Sequence, residues 1–273
     1  MNLKALFDLI RPFNCFMAGF AAIIGAILAG GMYFPIQVIY AFLGAFLVCG
    51  GGQAINDVFD LEIDKKINPS RAIASGKISA NQGMFFSAIL YLIGLGFAFL
   101  INFEALAIAL VIVFLLSNYS MFMKKTKIFG NFIVSMGTAA PLIFGASLYG
   151  AYDLVLLLAV SAFFANYARE VTKDFADLNG DKGIKETLPM IWGNNARHWI
   201  AFSYFIAIAL VFYVFFSGMI NSAYFFSLIL LSSLVFLYCI LLNYKNEFIR
   251  SHKLSKFGML IALIGFLLGG IFG

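Results

Sequence analysis

Apolar residues fall into long stretches at roughly 12–32, 36–54, 83–101, 104–122, 130–149, 152–170, 198–217, 222–243 and 255–272. Each is close to the ~20 residues that a helix needs to cross a bilayer. The pattern therefore predicts nine transmembrane helices with short connections and no room for a separate soluble domain. Residues 1–273 are expected to form a single integral membrane domain. Lys4 and Arg11 precede the first stretch as they would in a signal peptide, but that stretch runs on for about 20 residues and reads as a retained span.

Composition agrees with this pattern: 63% of the residues are hydrophobic and 11% charged, with a mean hydropathy of +0.96. A soluble domain carries about 25% charged residues. A soluble enzyme, a disordered chain and a nucleic-acid-binding domain are thereby excluded, despite the net charge of +5. Cys15, Cys49 and Cys239 are scattered through apolar runs and show neither disulfide nor metal-ligand spacing. They read as small buried hydrophobes.

The connections alternate in character. Those near Gly30–Pro35, Asn102–Glu104, Gly150–Asp153 and Gly218–Asn221 contain no Lys or Arg, and the other connections hold all 18 bases. Cytoplasmic loops carry the excess of Lys and Arg, so the amino terminus is expected inside and the carboxyl terminus outside. The basic face then meets the anionic leaflet.

The connections at 56–82 and 170–197 are the long ones, and both carry the spacing Asp-x-x-Asp-x-x-x-Asp. The first triad is Asp57, Asp60 and Asp64; the second is Asp174, Asp177 and Asp181, offset by 117 residues. An offset of four helices leaves both copies on one membrane face, as in a parallel repeat. On a helix the three positions share about 60° of arc, with Asn56 to one side and Glu62 nearly opposite. Asn179-Gly180 favours a turn before Asp181. Acids at helical spacing often form no more than a solvated face. Here six of only 13 acidic residues sit in two matching triads. At the bilayer centre six charges would cost about 15–20 kcal/mol, more than a fold is worth. They are expected at the cytoplasmic mouth of a polar cavity.

Clustered carboxylates repel unless cations intervene, and hard oxygen ligands without His or Cys suit Mg²⁺. Mg²⁺ is usually shared with substrate phosphates, so a diphosphate bridging the triads is the natural third party. Arg71, Lys124 and Lys173, then Lys65, Lys77 and Arg169, are candidates for the remaining phosphate oxygens. Lys125, Lys127 and the cluster at 245–256 read as topology charges or lipid anchors. His198 and His252 are placed in basic loops at the interface and are expected to be solvated. A diphosphate at the mouth of an apolar bundle suggests a polyprenyl diphosphate with its tail among the helices. The 33 Phe and 12 Tyr would offer ring faces to an allylic cation, although most must face lipid or pack.

Asn56-Asp57-Val58-Phe59-Asp60-Leu61-Glu62-Ile63-Asp64 resembles the N-D-x-x-D-x-x-x-D signature of the UbiA-type intramembrane prenyltransferases. Asp177-Leu178-Asn179-Gly180-Asp181 resembles their second motif, and Asn68-Pro69-Ser70-Arg71 with Gly76 follows the first. The resemblance spans the chain and implies an all-α bundle of nine transmembrane helices around a central cavity open to the cytoplasmic side. It further implies Mg²⁺ on Asp57, Asp60, Asp64, Asp174, Asp177 and Asp181. The reacting groups would be Asp60, Asp64, Asp177, Asp181 and Lys124. Substrate contacts would come from Asn56, Arg71, Lys77, Tyr119, Arg169, Lys173 and Asp174.

Within the family, Arg169-Glu170-Val171-Thr172-Lys173-Asp174 and Thr187-Leu188-Pro189 look most like the archaeal digeranylgeranylglyceryl phosphate synthases. That resemblance implies geranylgeranyl diphosphate as donor and geranylgeranylglyceryl phosphate as acceptor. The product is the second ether of archaeal membrane lipids. Quinone-forming relatives often carry Tyr-x-x-x-Lys after the fourth span, whereas Tyr119 here precedes Lys124 by five. An aromatic prenyltransferase of quinone or haem biosynthesis is the nearest alternative. A divalent-cation transporter is a different class, but its sites usually lie near the midplane in broken helices.

Overall fold

The computed structural model describes residues 3–31, 35–119, 127–178 and 186–273. These residues are all-helical, save for short turns and one isolated bridge residue. The helices are α1 (Leu3–Leu9), α2 (Pro12–Gly30), α3 (Ile36–Phe59), α4 (Leu61–Ile67), α5 (Ala80–Ile101) and α6 (Phe103–Asn118). They continue as α7 (Lys127–Ala146), α8 (Asp153–Ala176), α9 (Leu188–Trp192), α10 (Ala196–Phe216), α11 (Ala223–Tyr244) and α12 (Phe248–Phe272). Among the described residues, eight helical segments are long and apolar enough to cross a membrane, with α9 and α10 counted as one. The shorter α6, of 16 residues, is apolar throughout apart from its first turn and final residues.

Local signals set the helix starts. Pro12 opens α2, where a missing N–H costs nothing. Ser79 and Gln82 form a capping box at the start of α5. Asn102 caps α6 through the Ala105 N–H, and its Nδ2 donates to the Ser147 carbonyl at 2.7 Å, tying two connections together.

Several helices outrun their apolar stretches. α3 continues from the predicted 54 to Phe59, α8 from 170 to Ala176, and α12 begins at Phe248 rather than 255. Hydropathy reports the hydrocarbon layer, whereas backbone hydrogen bonding carries a helix into the polar mouth. Both acidic motifs consequently begin on helix ends instead of in loops.

The 117-residue offset recurs in the architecture. α3 and α8 are both 24 residues long and begin at positions 36 and 153. α2 packs on α3 as α7 packs on α8; α3 packs on α5 as α8 does on α10; α5 packs on α6 as α10 does on α11. α12 has no counterpart and packs on α11, α8 and α2. The halves meet where α2 crosses α7. A Cβ on Gly25 would strike the Leu142 carbonyl, and one on Gly145 the Ala22 carbonyl. Such close approach is the usual source of helix cohesion in lipid, where apolar burial gains nothing. Hydrogen bonds across helices add to it: Ser87 Oγ to the Gly51 carbonyl at 2.8 Å, Ser161 Oγ to Ala207 at 2.9 Å and Ser232 Oγ to Gly258 at 2.9 Å. Large apolar side chains such as Phe99, Phe103, Phe114 and Phe216 point outward, as a chain solvated by hydrocarbon allows.

Candidate active site

α3 ends at Asp60, whose φ of −87° and ψ of 1° turn the chain into α4. Asp57, Asp60 and Asp64 are all buried. Arg11 donates to Asp57 at 2.5 Å, while Arg71 donates to Asp57 at 3.3 Å and to Asp64 at 2.6 Å. Asn56 Nδ2 donates to Asp60 Oδ2 at 3.0 Å. Three carboxylates thus meet two guanidiniums, which leaves this arm with a surplus negative charge. Arg11 holds a left-handed φ of 50° between α1 and α2, which lets α2 start immediately beside it. Glu62 is exposed; the Lys65 ammonium 2.7 Å away keeps its carboxyl below the usual range. It lies off the site, as helical spacing predicts.

The second arm repeats the first. α8 ends at Asp177 with φ −95° and ψ 3°. Asp174, one turn earlier, is fully buried, and its Oδ2 accepts from Asn131 Nδ2 at 2.7 Å. Asp177 is exposed to the cavity. Further up α8, Arg169 donates to Glu170 and to Asn166 Oδ1 at 3.4 Å, and its Nη2 lies 3.5 Å from His252 Nε2. Asn166 Nδ2 donates to Ser135 Oγ at 3.4 Å.

Both arms face one cavity of about 920 Å³. Asn56, Asp60, Asp64, Arg71, Tyr119, Arg169, Lys173 and Asp177 line it, so most of the predicted site residues converge. The remainder of the wall is largely apolar and small, with Ala45, Val48, Ala109, Ala165 and Ala207 as examples. Among the described residues, the phenylalanines that reach the cavity are Phe13, Phe144, Phe236, Phe257 and Phe266. Ring faces are fewer there than composition suggests, because most rings pack between helices or face outward.

Other predicted residues lie elsewhere. Asp57 and Asp174 are not on the cavity wall: they sit one turn behind Asp60 and Asp177, held by Arg11, Arg71 and Asn131. Lys77 is exposed on the connection before α5 and does not line the cavity. Its charge stays in solvent, which costs least. Lys65 pairs with Glu62. Asp181, Lys124, Lys125, Lys182 and Lys185 lie outside the described residues. Tyr119 packs against the α7 backbone so closely that a Cβ on Gly130 would lie 2.6 Å from its hydroxyl oxygen.

Sequence reasoning gives Arg11, Asn131, Glu170, Lys253 and Lys256 no part in the site, yet every one of them lines the cavity. In the sequence Arg11 is marked only as a base before the first apolar stretch. Lys253 and Lys256 had been grouped with lipid anchors, yet a spacing of three residues puts both on one face of α12. Asn131 repeats Asn14 at the same 117-residue offset, a signal that could have found it. Both histidines lie on helices rather than in loops: His198 is exposed, as expected, and meets the Tyr244 hydroxyl at 3.0 Å, whereas His252 is half-buried beside Arg169.

Asn56, Asp60, Asp64 and Asp177 present oxygen donors to the cavity, a set that suits Mg²⁺. Among the described residues no three His, Cys, Asp or Glu side chains close around a point. An ion held here would need water and phosphate oxygens to complete its shell, which is the habit of Mg²⁺.

The profile of the UbiA prenyltransferase family matches residues 18–269. A digeranylgeranylglyceryl phosphate synthase of Methanococcus maripaludis is 36% identical over 282 residues, covering 100% of both chains. A solved structure described as digeranylgeranylglyceryl phosphate synthase in membranes superposes at a TM-score of 0.85, with 32% identity over 98% of each chain. A UbiA homolog from Archaeoglobus fulgidus, solved with GPP and Mg²⁺, has the same fold at a TM-score of 0.74 and 19% identity, over 97% of this chain and 98% of that one.

Proposed function

The chain belongs to the UbiA prenyltransferase family, and from that premise we propose that it works as a digeranylgeranylglyceryl phosphate synthase. It transfers the geranylgeranyl group of geranylgeranyl diphosphate to the hydroxyl of geranylgeranylglyceryl phosphate, with Mg²⁺ as cofactor. The likeness to enzymes of that name extends over the whole chain, which favours the lipid-forming branch over an aromatic acceptor or ion transport. The observation that supports the chemistry is that Asp60, Asp64 and Asp177, from separate helices, line one cavity whose deeper wall is apolar.

In this reading Asn56, Asp60 and Asp64 would hold Mg²⁺ for the donor diphosphate on one arm, and Asp177 with Asp181 would do so on the other. Asp57 and Asp174 brace the two helix ends. Bound Mg²⁺ would neutralise charge that develops on the leaving diphosphate. Lys173 and Lys124 would supply further positive charge, and Arg71, which lines the cavity while paired with Asp57 and Asp64, would add to it once metal engages those carboxylates. The allylic C–O bond breaks and its electron pair leaves with the diphosphate. The acceptor hydroxyl oxygen forms the ether bond, and its proton passes to a carboxylate or to the released diphosphate. The apolar wall keeps water from the allylic cation.

The protein is a multi-pass membrane enzyme. Residues 1–273 act as one prenyltransferase domain with nine crossings, α6 included, the amino terminus cytoplasmic and the carboxyl terminus outside. The distribution of bases supports that orientation. The test is incubation of the purified protein with labelled geranylgeranyl diphosphate, Mg²⁺ and each acceptor class. Label in digeranylgeranylglyceryl phosphate is the expected result. Label only in an aromatic acid, or in no product, would overturn the assignment.

A further inference from the structure

The cavity is electrically lopsided. On the α3–α4 side, Arg11 and Arg71 are consumed by Asp57 and Asp64, leaving a negative surplus. On the opposite side, α8 and α12 contribute Arg169, Lys173, Lys253 and Lys256 to the wall against Glu170 and Asp177 there and the buried Asp174 one turn behind, so the described charges still leave a positive surplus. Glu170 is already paired with Arg169. Lys253 and Lys256 are three residues apart on one face of α12, a helix that carries no acid of its own, and Glu170 of α8 is the acid that acts on Lys256 from across the gap. Unlike-charge pairing within the protein does not explain why several cations should converge on a partly apolar cavity, where mutual repulsion is poorly screened.

We propose that Arg169, Lys253 and Lys256 form a second anion site, distinct from the diphosphate site, that takes the phosphate monoester of the acceptor. This rests on the assignment of the acceptor as geranylgeranylglyceryl phosphate. A phosphate monoester carries about −1.5 to −2 charge at pH 7 and offers three strong acceptor oxygens. That matches the positive surplus on this wall. The donor diphosphate, with its metal, is drawn to the acid-bearing arms instead. The division follows the architecture: the arms come from the two repeated halves, and the lysines come from α12, the helix without a counterpart. In the acceptor the hydroxyl and the phosphate share one glycerol backbone. Holding the phosphate against α8 and α12 would leave the hydroxyl free to face the acid-bearing arms, where the donor diphosphate would sit.

The same chemistry is present in anionic lipid headgroups, so the test separates the two sources. Binding of geranylgeranylglyceryl phosphate and of dephosphorylated geranylgeranylglycerol is measured without donor or Mg²⁺, in neutral detergent and again with added anionic lipid. The wild type and K253Q/K256Q are compared, with K253R/K256R as the charge-preserving control. Binding of geranylgeranyl diphosphate with Mg²⁺ is measured in parallel. The wild type should prefer the phosphorylated acceptor by about tenfold or more. K253Q/K256Q should lose that preference, K253R/K256R should retain it, and donor affinity should stay within about twofold. Three results would overturn the proposal: an unchanged preference in K253Q/K256Q, a loss confined to donor affinity, or a preference abolished by anionic lipid at trace acceptor. Absence of turnover in an otherwise phosphate-selective wild type would count against the assigned reaction, not against this site.

Discussion

Asp60 and Asp177 close helices of equal length at nearly the same backbone geometry, φ/ψ of −87°/1° and −95°/3°. Each is the middle member of its acidic triad, each faces the shared cavity, and each has a buried Asp one turn behind it. The two halves of the chain thereby present matched carboxylates to one space. A diphosphate, with two phosphoryl groups to share between metals, is a natural ligand for such a pair.

Asp60→Ala and Asp177→Ala should each lower turnover by at least about 10²-fold, since each removes an oxygen that stabilises the leaving diphosphate through metal. Size-exclusion profiles in detergent should stay those of the wild type, most clearly for Asp177, which is exposed to the cavity. Activity within a few-fold of wild type in either variant would remove that residue from the site.

Arg11→Ala should act mainly through stability. It strips Asp57, a buried carboxylate, of its 2.5 Å partner. Breaking a buried pair from one side costs about 3–5 kcal/mol, less here because Arg71 still reaches Asp57 and Arg11 is a third exposed. Thermal unfolding in detergent should show a lowered midpoint that Arg11→Ala combined with Asp57→Asn partly restores. An unchanged midpoint in the single variant would show that the pair contributes nothing.

Gly145→Leu should disrupt assembly of the two halves. Even a Cβ at Gly145 would meet the Ala22 backbone, which cannot rotate away. Overpacking costs typically about 1–3 kcal/mol and more when backbones must part. Loss of monodisperse protein, against normal behaviour of Gly96→Leu where nothing lies within 4 Å, is the expected pattern. Equal yields of both variants would contradict it.

Chelation should abolish turnover, and Mg²⁺ should restore it better than Ca²⁺. The oxygen set is sparse and relies on phosphate to complete the shell, which suits the smaller octahedral ion. Full activity after exhaustive chelation would refute a metal role.

Much of this architecture was legible in the sequence because membrane helices announce themselves by uniform apolarity, and because the triads repeat at one spacing. Asn56, Asp60, Asp64 and Asp177 were found that way. The rest was hidden for particular reasons. The basis on which Arg11 was discounted, its place before the first span, says nothing about where its guanidinium goes; only the fold brings it to Asp57, 46 positions away. Lys253 and Lys256 were masked by neighbouring bases that do face outward, since a charge count does not resolve helix faces. Asp57 and Asp174 match the motif spacing as well as Asp60 and Asp177 do, and only packing separates the residues that line the cavity from those that brace it. Helix ends were misplaced wherever polar residues continued a helix beyond the hydrocarbon layer.

If the two arms grip one diphosphate through bound metal, metal stoichiometry must depend on both arms and on the ligand. Mn²⁺ binding, followed by electron paramagnetic resonance, should be weak without ligand. With a non-hydrolysable geranylgeranyl diphosphate analogue, a pair of close, spin-coupled ions should appear, and Asp177→Ala should reduce it to a single ion. A tightly held ion without the analogue, or a signal indifferent to Asp177, would contradict the account.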